Sequence, residues 1–329
     1  YYFAPAAVPY HELITPWQRT FQEHVGAAAA ADFDGREERY FTREDFDLFY
    51  PSYGDTYPMF RGAIGMTYEQ GGGPRSGVAV ELENGRVLDL AQRVENHVHS
   101  SFALLDVSAQ RAEELVGESA AFFENSRSGA PGAYRAYVLP AGQPELAQLL
   151  PFLEVHGIVY GHAAPSRKAV AGFDYHENEL RPVTWTEDDW IIPANQPHGV
   201  LVQALMDPDP VLEDSLTYDI TAWALPYSFG AACFGVLEPV EVTPARWQAV
   251  AEAPALDGAI GCAVVPVDAA GRAFVAQALD AGCGGRVLTK SAHISGAHLP
   301  PGAVVFLAAD QTDSNWRDRL EALRPPGLD

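Results

Sequence analysis

The sequence predicts an α/β fold. Short apolar runs of strand length alternate with amphipathic stretches of helical spacing. The same order of such runs occurs twice in the second half of the chain. In the first half an Asn-Gly pair lies between two apolar runs, which is the signature of a β-hairpin. The 329 residues are enough for a large core and for two domains, placed at 1–126 and 127–329.

In the first domain, Thr15-Pro16 reads as a helix start, with threonine at the cap and proline in the first turn. Trp17, Phe21, Val25 and Ala28 then fall on one helical face. Residues 37–48 are mixed and charged, as in a strand and a loop. Residues 50–61 are rich in Tyr, Pro and Gly and read as an irregular loop able to line a cleft. Residues 62–69 are expected to form a buried strand that ends at Glu69, broken by Gly71-Gly72-Gly73-Pro74. Residues 78–82 and 86–90 flank Asn84-Gly85 as a hairpin, 91–125 are helical with one break, and 126–132 read as a linker.

The second domain carries the repeat. Strand 136–140, helix 144–156 and strand 158–160 are followed by a gap, then strand 190–194 and helix 197–206. Strand 262–266, helix 271–281, strand 286–288, a gap, strand 303–307 and helix 315–323 repeat that order. Strands alternating with helices predict a mostly parallel sheet.

A net charge of −23, spread over both halves, argues against nucleic acid and against an anionic membrane as partners. No stretch approaches the roughly 20 apolar residues of a membrane span, and mean hydropathy is −0.09. Lysine occurs only at 168 and 290, and the other bases are arginines. Cys233, Cys262 and Cys283 match no zinc or redox spacing and read as three buried thiols.

Three segments carry a resemblance. Phe49-Tyr50-Pro51-Ser52-Tyr53-Gly54, then Met66-Thr67-Tyr68-Glu69, resemble the C-terminal catalytic segment of zinc carboxypeptidases of the carboxypeptidase A type. Tyr1-Tyr2-Phe3-Ala4-Pro5 and Tyr218-Asp219-Ile220-Thr221-Ala222-Trp223-Ala224-Leu225-Pro226 resemble runs in bacterial members of the same family. The resemblance implies the C-terminal part of a carboxypeptidase-like mixed-sheet domain, followed by an accessory α/β domain with two strand-helix-strand repeats. It implies Glu69 as general base, taking a proton from zinc-bound water and passing it to the leaving amine. Tyr50 would cap the peptide substrate, with Gly54 four residues on. The family's zinc ligands, an HxxE pair and a later histidine, are not recognisable in this chain. It is therefore expected to be a C-terminal fragment of a secreted or periplasmic-type enzyme, inactive alone. The alternative is a non-catalytic peptide- or glycan-binding module derived from the family.

Read from the residues alone, Glu69 is a strand-end carboxylate that Arg61 or Arg75 could neutralise, and Tyr50 is a loop aromatic. Arg43 and Arg61 are local candidates for a substrate carboxylate, because a guanidinium binds one bidentately. His97 and His99, two apart on a helix, face opposite ways and make a poor metal pair. His11-Glu12 and His176-Glu177 imply no third ligand, and His293 and His298 fall in a Gly/Pro-bounded loop. Gly282-Cys283-Gly284-Gly285 follows a helix rather than opening one, which excludes a phosphate loop. If Glu69 is the base, Tyr50 and Glu69 should face one open cleft.

Overall fold

The computed structural model describes residues 1–71, 79–129, 131–214, 217, 222–247, 261–266, 269–294 and 297–324. It is a mixed α/β molecule. The chain starts in extended form, and β1 (Ala7–Tyr10) pairs in parallel with β2 (Asp47–Leu48) across α1 (Pro16–Gly35). Tyr2, fully buried, is bridged to Phe41 in parallel and to Glu69 antiparallel, so the first residues lie between two later segments. A hairpin of β3 (Val80–Glu81) and β4 (Val87–Leu88) leads into α2 (Leu90–Gln110) and α3 (Ala112–Ser128), which break at Arg111.

α1 starts where the cap signal predicts. The Thr15 side chain accepts from the Gln18 backbone N–H, and Gln18 reaches back to the Thr15 backbone, a reciprocal capping box. Its inner face buries Phe21, Val25, Ala29 and Phe33, and with them two glutamines one turn apart. Gln18 Nε2 donates to the carbonyls of Met59 (2.9 Å) and Ala63 (2.7 Å), and Gln22 Nε2 donates to that of Gly65 (2.8 Å). These bonds explain a departure from expectation. Residues 62–69 do not form a strand and pair only at Glu69, because helix side chains satisfy carbonyls that a ladder would otherwise use. Nor is Glu69 buried.

The expected linker at 126–132 is also different. α3 continues to Ser128, and buried Ser126 donates from Oγ to the carbonyls of Gln196 (2.9 Å) and Pro197 (3.1 Å). The largest buried cluster runs across this point, joining Tyr10, Ile14, Leu48 and Phe60 to Tyr137, Leu139, Ile192 and Leu201.

The second half opens with β5 (Ala136–Leu139), α4 (Leu146–Val155), β6 (Gly161–His162), the hairpin β7 (Val170–Asp174) and β8 (Glu179–Val183), β9 (Trp190–Pro193) and α5 (Gly199–Met206). Then come α6 (Leu225–Phe229), β10 (Phe234–Val236) and β11 (Thr243–Pro244). They form a seven-stranded sheet in the order β11-β6-β9-β5-β10-β7-β8. Every neighbouring pair in it is antiparallel, which corrects the parallel sheet expected from the sequence. β5 and β6 do run the same way, as a crossover helix requires, but β9 fills the space between them in the opposite sense. β5 is apolar throughout because both faces are covered: Tyr137 and Leu139 enter the large cluster, while Ala136 and Val138 enter a second one with Val170, Ile191 and Val236. A strand buried on both faces has the same apolar pattern whichever way its neighbours run.

The last segment comprises β12 (Gly261–Val264), α7 (Ala269–Asp280), β13 (Arg286–Val287), the hairpin β14 (Ala292–Ile294) and β15 (Ala297–Leu299), β16 (Val304–Leu307) and α8 (Trp316–Leu323). Its sheet order β12-β16-β13, all antiparallel, matches β5-β9-β6, and a hairpin fills the gap in both segments. His293 and His298 are thus cross-strand partners rather than loop residues, with rings 4.9 Å apart. Phe274, Ala278, Cys283, Phe306, Trp316 and Leu320 form this segment's own core.

Candidate functional site

Glu69 is held by its backbone. Its N–H donates to the Tyr2 carbonyl (3.0 Å) and its carbonyl accepts from the Tyr2 N–H (2.7 Å). The two preceding residues differ in direction: Tyr68 packs on the Phe21, Val25 and Val107 cluster, while Thr67 Oγ1 donates to Asp55 Oδ2 at 2.5 Å. The Glu69 carboxylate is exposed and has no ion pair among the described residues. Arg61, one partner that could have neutralised it, is bonded elsewhere; Arg75, the other, lies outside the described residues.

Tyr50 is half-buried between two aromatic neighbours, with Tyr53 edge-on at 5.2 Å and Trp223 at 5.6 Å. Trp223 also meets Phe49 at 5.2 Å and anchors its indole N–H on the Ala204 carbonyl at 2.7 Å. Residues 218–221 of the same run lie outside the described residues. Segments far apart in sequence thus meet: Tyr2 bridges Glu69, and Trp223 packs on Phe49 and Tyr50.

Beneath them lies His11, which is fully buried against Phe49, Phe60 and Trp223. Its Nδ1 accepts from the Leu13 N–H at 3.2 Å, so the ring proton sits on Nε2, which is buried without a partner. Burial, and secondarily the Arg19 charge, push its pKa down to about 3. His11 is therefore neutral, and its 3.2 Å approach to the Glu12 carboxylate is not an ion pair.

An open cavity of about 480 Å³ lies between residues 46–55 and 66–68. Gly54 lines it, and so do Tyr53, Thr67 and Tyr68, the chain neighbours of the two predicted residues; Tyr50 and Glu69 are not themselves in its lining. Gly54 is exposed and a Cβ there would meet nothing within 4 Å. The glycine that the geometry demands is Gly65, where a Cβ would lie 1.7 Å from the Asp55 carbonyl oxygen.

The two candidate arginines are engaged elsewhere. Arg43 pairs with Glu23 at the surface. Arg61 donates to the His156 carbonyl (2.8 Å) and the Tyr57 hydroxyl (3.1 Å), with His198 Nε2 at 3.5 Å. Burial, then the Arg61 charge, lower the pKa of both His156 and His198. Arg61 thus ties the 57–61 turn to the second half of the chain instead of facing Glu69.

Among the described residues no group of three or more His, Cys, Asp or Glu is placed to hold a metal ion. His97 and His99 have separate partners, the Tyr1 hydroxyl (2.6 Å) and Asp32 (3.1 Å). His176 is exposed beside Glu177. Cys233 and Cys283 are buried, whereas Cys262 is half-buried, and burial raises its pKa to about 11. No described helix is long and apolar enough to cross a membrane.

Sequence reasoning missed Gln18, Gln22, Gly65 and Asp55. The glutamines had a usable signal, being polar residues one turn apart on the apolar face of α1. No protein-family model matches the chain, and no curated protein and no solved structure matches it.

Proposed function

We propose that this chain supplies the proton-transferring base and the substrate cap of a metallocarboxypeptidase-type hydrolase, acting on the C-terminal residue of peptides. The observation that supports the reading is the convergence of the three resembling segments: residues 1–5 carry Tyr2, which bridges Glu69, and Trp223 packs on Phe49 and Tyr50. Both contacts fall on the 49–69 segment, one at each of its ends, although the cavity between residues 46–55 and 66–68 is lined by neither Tyr50 nor Glu69.

Glu69 suits the role physically. Its backbone is fixed on both sides of the peptide unit while its carboxylate is solvent-facing and unpaired among the described residues, free to accept a proton and return it. Tyr50, half-buried on a loop braced by Trp223, carries a phenol that can donate a hydrogen bond to a substrate. The described residues do not fit a zinc ion. Zinc, and with it a secreted or periplasmic address, enters the proposal through the resemblance alone.

The test is stepwise release of residues from a peptide by the whole natural protein in which these residues occur, followed by mass spectrometry. A peptide with a free C-terminus should lose residues one at a time, and the same peptide amidated should lose none. Internal cleavage, or binding of peptide or glycan without cleavage, would overturn the reading.

A further inference from the structure

Resting on that reading, we propose that the cavity beside Glu69 receives the side chain of a basic C-terminal residue, arginine or lysine, and that Asp55 selects it. At about 480 Å³ the cavity lies within the range of small-ligand pockets, roughly 300–1,000 Å³. Its lining combines two carboxylates, Asp47 and Asp55, with the rings of Tyr53 and Tyr68 and the thioether of Met66, and includes no lysine or arginine. An alkyl stem can lie along Met66 and the rings while its charged head reaches the carboxylates, and the ring faces attract a cation further.

Asp55 lines the cavity and is held in place. Oδ2 accepts from Thr67 Oγ1 at 2.5 Å, and Oδ1 lies 3.4 Å from Thr56 Oγ1. An ionised carboxylate has about four acceptor positions, so lone pairs remain for a guanidinium fork or an ammonium. The turn packs directly on the 64–68 run, because a glycine at 65 lets the Asp55 carbonyl approach as it does. Asp47 is buried, and its Oδ1 accepts from the Phe49 N–H at 3.2 Å. An acidic side chain in the cavity would meet the like charge of Asp55, and an apolar one would take its carboxylate oxygens out of water with nothing in return. Thr67 and Tyr68 line the cavity and Glu69 is the next residue along the chain, so the pocket and the proposed base belong to one segment.

The experiment separates this proposal from the reaction on which it rests. Equilibrium binding to the chain is measured for n-butylguanidinium, for its neutral isostere n-butylurea, and for dipeptides ending in arginine, phenylalanine or glutamate, each as free acid and as amide. The guanidinium should bind at least about tenfold tighter than the urea, and the arginine dipeptide about tenfold tighter than the other two. Asp55→Asn keeps an acceptor for Thr67 and should abolish both preferences. Thermal melting checks that this variant folds, and the guanidinium-to-urea ratio needs no variant at all. Guanidinium selectivity on the chain, with no preference of acid over amide in the whole natural protein, would support the pocket and count against the carboxypeptidase reading. Equal binding of guanidinium and urea, tightest binding of the phenylalanine dipeptide, or a folded Asp55→Asn that keeps the selectivity would each overturn the pocket.

Discussion

Acid should destabilise the fold through His11, by an amount that follows from its burial. The unfolded imidazole titrates near 6.5, while the folded one is pushed down to about 3. Protons therefore bind the unfolded chain first. The stability this residue contributes is complete above pH 6.5 and is lost progressively as pH falls towards 3. Between pH 8 and pH 5 the loss spans about 1.5 pH units of the unfolded titration, or about 2 kcal/mol. Other groups titrate over the same interval, so the measurement is a difference. His11→Asn keeps an acceptor near the Nδ1 position for the Leu13 N–H and removes the titration. Urea unfolding is followed by tryptophan fluorescence, to which Trp223, 6.0 Å from the His11 ring, contributes. The variant should be less stable at pH 8, because it leaves a void among Phe49, Phe60 and Trp223. Its further loss on going to pH 5 should be about 2 kcal/mol smaller than in the unsubstituted chain. Equal losses in both proteins, or a His11 NMR titration midpoint near 6.5, would refute the reasoning.

Two further outcomes are expected at sites where contacts set the sign. Gly65→Ala places a methyl 1.7 Å from the Asp55 carbonyl and should cost upwards of about 2 kcal/mol in thermal or urea unfolding, whereas Gly54→Ala, with open space around it, should cost under about 1 kcal/mol. Arg61→Met removes the cation that helps lower the pKa of His156 and His198; both NMR titration midpoints should rise, though burial will keep them below an ordinary histidine.

The mixed α/β class is legible because each element has a local cause. The Thr15-Pro16 cap and the Asn84-Gly85 turn act within a few residues of themselves, so a linear reading sees them. Strand direction is not local. β5 and β9 are apolar on both faces, and that pattern is silent on whether a neighbour runs parallel or antiparallel. Residues 62–69 look like a strand because they are apolar and short. What prevents the ladder is Gln18 and Gln22, more than forty residues earlier, reaching carbonyls at 59, 63 and 65. The site shows the same division. Glu69 and Tyr50 stand out by motif. Asp55 becomes a candidate only once Thr67 and Gly65 are seen against it, a contact ten or more residues apart. Arg43 and Arg61 are suitable by type and nearby in sequence, but Glu23 and the His156 carbonyl already hold them.

The most direct measurement is turnover by the whole natural protein, with and without Glu69→Gln, at matched zinc content. A missing general base should lower release of the C-terminal residue on the order of 10²-fold or more, while metal content and folding stay unchanged. A Glu69→Gln protein within a few-fold of the unsubstituted protein would contradict the proposed assignment of Glu69 as the base.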